Sequence, residues 1–88
     1  MKFQVEFTHN NTDVTEVLFV SYSVDTNNTA DILQSIQLVA NDENKICNVI
    51  NMIPDSGPVR GKDITGKVLS RYLSILSENL STNHKKLL

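Results

Sequence analysis

Ala30-Asp31-Ile32-Leu33-Gln34-Ser35-Ile36-Gln37-Leu38-Val39-Ala40 decides how this chain of 88 residues folds, because it satisfies two periodicities at once. At helical spacing Ile32, Leu33, Ile36, Val39 and Ala40 share one face, with Asn28 or Thr29 placed to cap the first turn. At strand spacing five of the six even positions are apolar against two of the five odd ones. Residues 45–53 are divided in the same way. Ile46, Val49, Ile50 and Ile53 have helical spacing, whereas β-branched enrichment and the poor helix formers Asn48 and Asn51 favour a strand.

Punctuation arbitrates between the two readings. Polar or proline-rich clusters at 10–13, 25–29, 41–44 and 54–58 cut the chain into four pieces of similar length, as a meander would require. The expected fold is therefore α+β: an antiparallel meander of three to four strands with a long C-terminal amphipathic helix packed on one face. The alternative order is strand, strand, helix, strand, helix. In either case 1–88 is a single domain, with a sheet region at 1–53, a hinge at 54–62, a helix at 63–82 and a frayed tail at 83–88.

Outward from the ambiguous stretch the signals are cleaner. Residues 2–8 alternate, with Phe3, Val5 and Phe7 on one side and Lys2, Gln4, Glu6 and Thr8 on the other. Residues 14–24 alternate again and should pair with them as a hairpin. In the C-terminal helix Ile64, Val68, Leu69, Tyr72, Leu73, Ile75, Leu76 and Leu80 occupy one half of the wheel, with Asp63 as N-cap and Asn83 near the end. Pro54, Gly57 and Pro58 let the chain turn from sheet to helix.

A consequence for binding follows from counting faces. One helix covers one face of a sheet, yet Val17, Phe19 and Val39, with either Cys47, Val49 and Ile53 or Ile46 and Ile50, would point to the other. An apolar face left uncovered is an association surface, for a second copy of the chain or for another protein, whereas a helix at 30–40 lying on that face would remove the patch.

The net charge of −2 conceals a division. Residues 1–59 hold Lys2 and Lys45 against eight acidic residues, a net −6, and residues 60–88 hold six basic residues against Asp63 and Glu78, a net +4. Glu16, Asp42 and Glu43 are the acidic candidates for meeting a basic partner alongside Val17, Phe19 and Val39. Arg60, Lys62, Lys67 and Arg71 are the candidates for holding an anion near the start of the last helix. The same division also lets the two parts attract each other within the fold.

Chemistry has little to stand on. Gly61, Gly66 and Lys67 have the spacing of a phosphate-cradling loop, but Val68 replaces the hydroxyl that would hold magnesium. His9, His84 and Cys47 lack partners at ligand spacing, so neither metal nor cofactor is expected, nor catalysis. No apolar run is long enough to cross a bilayer, and the single cysteine suits a reducing cytoplasm. These features suit a small binding protein, for example an inhibitor of the immunity or anti-defence kind, bacterial or phage-encoded, that masks the surface of a nucleic-acid-handling partner. The alternatives are a nucleic-acid-binding protein using 60–71, or a homodimeric structural protein.

Overall fold

The computed structural model describes the backbone of residues 1–23 and 28–87, and side chains as far as Glu78. Most of the turn expected at 25–29, the end of the second strand at Val24, and the side chains of Leu80, Asn83 and His84 lie outside the described residues. The chain is α+β, in the order β1 (Lys2–His9), β2 (Thr15–Ser21), α1 (Thr29–Asp42), β3 (Lys45–Ile53), β4 (Lys62–Asp63) and α2 (Thr65–Leu87). The sheet has four strands in the order β3-β1-β2-β4. β1 is antiparallel to both of its neighbours, while β4 runs parallel to β2, so the sheet is mixed.

Two expectations are corrected here. Residues 30–40 form a helix, and the meander is therefore absent. The helical face wins because Ile32, Ile36, Val39 and Ala40 are all buried together, and Ser35, which the helix buries among them, is satisfied by donating its hydroxyl to the Asp31 carbonyl at 2.7 Å. The sheet is also not purely antiparallel. β2 and β3 both run opposite to β1, hence in the same direction as each other, and such strands need a crossover of the kind α1 supplies.

The strands alternate sharply. Phe3, Val5 and Phe7 of β1 and Val20 of β2 are fully buried, and Leu18 nearly so. Register sets Phe3 opposite Val20 and Met52, Val5 opposite Leu18 and Ile50, and Phe7 opposite Cys47, which defines one face of the sheet. Both helices lie on this face. Ile32, Ile36, Val39 and Ala40 of α1, with Ile64 and, from α2, Val68 and Tyr72, close the same core. At about 1.5–3 kcal/mol per large apolar side chain, this cluster is the main source of stability. α2 packs chiefly along α1 and touches β2, so the roof of the sheet is shared and is not the work of the C-terminal helix alone.

The start of α2 is local chemistry. The Asp63 carboxylate accepts from the Thr65 amide at 2.9 Å and from the Thr65 hydroxyl, which also accepts from the Ser21 amide. These bonds hold the Asp63 carboxyl below the usual carboxylate range.

Candidate functional site

The second face of the sheet carries Lys2, Gln4, Glu6 and Thr8 from β1, opposite Ser21, Phe19, Val17 and Thr15 from β2 and Ile53, Asn51, Val49 and Ile46 from β3. A bulge between Glu6 and Phe7 sets this pattern. Asn48 is the extra residue, so Ile46 and Cys47 have switched faces relative to simple alternation from Val49. Among the described residues no helix covers this face. Val17, Phe19, Val49 and Ile53 are half-buried, and Ile46 is 55 % exposed. Glu6 lies between Val17 and Val49 in register, also half-buried. Val39, expected on this face, is instead 3 % exposed in the helix-covered core, because a helix and not a strand carries it.

What does lie across the open face is the chain between β3 and β4. These strands sit at opposite edges, and residues 54–61 must pass over β1 and β2 to connect them. Lys2 Nζ donates to the Gly57 carbonyl at 3.0 Å. Gln4 does more: its Nε2 donates to the Arg60 carbonyl at 2.8 Å and to the Leu18 carbonyl at 2.9 Å, while its Oε1 accepts from the Arg60 amide at 2.8 Å. The carboxamide thereby imitates one rung of a β-ladder and fastens the strap in mid-crossing. At the far end Gly61 has φ 89° and lies against the Val17 carbonyl so closely that a methyl group there would overlap it.

The charged candidates meet each other on the opposite side of the molecule. Arg71 Nε donates to Asp42 Oδ2 at 2.6 Å, and Arg71 Nη2 donates to Asp42 Oδ1, giving a two-pronged pair between α2 and the end of α1. Lys67 reaches Glu43 at 3.4 Å, and Glu43 also accepts from Lys45 at 3.3 Å. Lys45 in turn is 2.7 Å from Glu16, which lies 3.2 Å from His9. The hydrogen bond from Lys45, ahead of the contribution of His9, holds Glu16 below the usual carboxylate range, and Arg71 does the same for Asp42. Asp42 and Glu43 are thus engaged with the basic candidates Arg71 and Lys67, while Glu16 is engaged with Lys45 and His9. Between the helices Asp42, Glu43, Lys67 and Arg71 line a shallow groove of about 510 Å³, floored by Val39 and Gly66. Arg60 and Lys62 are exposed and make no ion pair among the described residues; the backbone of Arg60 is held by Gln4.

The phosphate-loop spacing folds into something else. Lys62 and Asp63 form β4, and Thr65 begins α2 ahead of Gly66, so no loop wraps an anion between the two glycines. Among the described residues no group of three His, Cys, Asp or Glu side chains is placed to hold a metal ion, and no helix is long and apolar enough to cross a membrane. Cys47 is half-buried beside Phe7, and burial pushes its thiol above the ordinary range.

Sequence reasoning missed Gln4 and the strap. A glutamine on the polar side of an alternating strand looks like any solvated residue; only the distance between β3 and β4 reveals that 54–61 must cross above it. Comparison with protein-family models, curated proteins and solved structures gives no match for this chain.

Proposed function

We propose that this chain is a protein-binding module without catalysis, which uses the open face of its sheet to cover a surface on a partner in the cytoplasm. It would act as a small inhibitor of the immunity or anti-defence kind. The observation that supports the reading is the apolar band of Val17, Phe19, Val49 and Ile53, left partly exposed around Glu6 on the face that the helices do not cover. A partner suited to it has a flat apolar patch and a cation to answer Glu6, as a basic nucleic-acid-handling protein could offer. Attraction through Glu16, Asp42 and Glu43 is not part of the proposal, because those carboxylates already have cations within the chain.

The test uses tagged full-length protein in its native host. Val17→Asp with Val49→Asp should lose the partner that wild type retains, while Ser77→Asp on the exposed side of α2 keeps it, with far-UV circular dichroism the same for all three. The same set of bound proteins for all three versions would contradict the proposal.

A further inference from the structure

The two edges of the sheet are guarded very differently. The β4 edge is only two residues long, both charged, and it is followed at once by Ile64 and the start of α2. Such an edge offers no template for another strand. The β3 edge is nine residues long, and no strand among the described residues pairs with its outer side.

β3 also lacks most of the devices that keep edge strands solitary. Its one lysine does not project outward: the Lys45 side chain is 11 % exposed and turned back over the end of the sheet to Glu16 and Glu43. The bulge at Asn48 disrupts only the first half of the strand. From Val49 to Ile53 there is no charge, no glycine and no proline, and Pro54 stands just outside. The strap leaves this edge clear, since Gly57 is drawn inward to Lys2. The flank of α1 beside the first half of this edge presents Gln34, Gln37, Leu38 and Asn41, and the one charge among its neighbours is Lys45, turned back to Glu16 and Glu43. In a chain with 20 % charged residues, an edge at 49–53 without charge, next to a helix flank of amides and one leucine, is the kind of charge depletion that marks the centre of an interface.

We infer that a second copy of this chain docks here, with β3 pairing antiparallel to β3 of its partner about a two-fold axis at Asn51. The occupant follows from charge: a two-fold pairing sets the uncharged stretch 49–53 against itself, so a second copy meets no like charge along the seam. In this register Val49 meets Ile53 on the open face, Ile50 meets Met52 on the helix face, and Asn51 meets its own copy, so every pair shares a face and none sets like charges together. Met52, 58 % exposed in the single chain, gains an apolar neighbour. The two sheets become one sheet of eight strands with the two α1 helices side by side above the seam. The pairing shares Val49 and Ile53 with the band proposed to bind another protein but does not use Val17 or Phe19, so Val17→Asp alone should weaken partner binding and leave the dimer intact.

Sedimentation equilibrium of the full-length chain tests the inference, because a residue on a two-fold axis meets itself. Wild type should sediment at twice 9.9 kDa. Asn51→Asp and Asn51→Lys, each alone, should weaken self-association at least about fivefold, since like charges then face each other across the strands. An equimolar mixture of the two variants should restore the dimer as a heterodimer. A monomeric wild type, open-ended aggregates, variants that dimerise as well as wild type, or a mixture that fails to recover would each overturn the pairing. Far-UV circular dichroism of the single variants confirms that the fold is intact, Asn51 being exposed.

Discussion

One face of this sheet is sealed and the other is only strapped, although both are built from the same strands by alternate residues. Phe3, Val5 and Phe7 have no exposure at all, under two helices. Their neighbours Lys2, Gln4 and Glu6 look outward to half-buried apolar residues and a single crossing segment. The difference shows that the placing of connections decides which side of a sheet becomes core. α1 crosses from β2 to β3 on one side and residues 54–61 cross from β3 to β4 on the other. A helix brings an apolar stripe to the strands beneath it, whereas a strap brings mainly backbone, which is fastened by hydrogen bonds.

The contrast can be broken most forcefully at matching positions on the two faces. Phe7→Ala, on the sealed face, should cost about 3–5 kcal/mol of stability in urea unfolding, and Phe19→Ala should cost about 1 kcal/mol or less, having water on one side already. Equal losses would mean that both faces are core. The strap's anchor comes next. Gly61→Ala should cost about 2 kcal/mol, because φ 89° is unfavourable for alanine and its methyl overlaps the Val17 carbonyl. Gln4→Leu removes three hydrogen bonds and should cost about 1–2 kcal/mol, with faster hydrogen exchange at the Arg60 amide as the local readout. Unaltered exchange there would show that the carboxamide does not hold the strap.

The smallest effect concerns acid. Glu16 is held below its ordinary value by Lys45, so the pair's contribution is complete above about pH 4–5 and fades as pH falls through the lowered value in the folded state. Because Glu16 is 37 % exposed, the loss should be well under about 1 kcal/mol. Lys45→Gln should flatten this part of the stability profile between pH 5 and pH 3, measured by thermal unfolding, whereas an unchanged slope would assign the acid loss to other carboxylates.

How far the fold could be read from sequence depended on whether a segment had one periodicity or two. Residues 2–8 alternate without ambiguity, and the structure places β1 there. Residues 30–40 carry both periods, and Ser35 and Leu38 tip the balance only in three dimensions, where the serine finds the Asp31 carbonyl and the leucine stays half-exposed. With the helix goes Val39, whose expected position on the open face depended on a strand. Charge gave a partial view. Opposite signs in the two parts of the sequence predict mutual attraction as well as they predict partners, and Asp42 with Arg71 and Glu43 with Lys67 show the attraction within the chain. β4 was not legible because two residues carry no period, and the crossing strap was not legible because nothing in 54–61 tells how far apart its ends lie.

Solvent access at methyl groups examines the two faces together. In a methyl-labelled sample with a soluble paramagnetic agent, the methyls of Val17 and Val49 should relax strongly, while those of Val5, Val20 and Ile36 remain close to their rates without the agent. Protection of Val17 and Val49 equal to that of Val5 would mean that the second face is sealed as well, and the surface on which the proposed function rests would not exist.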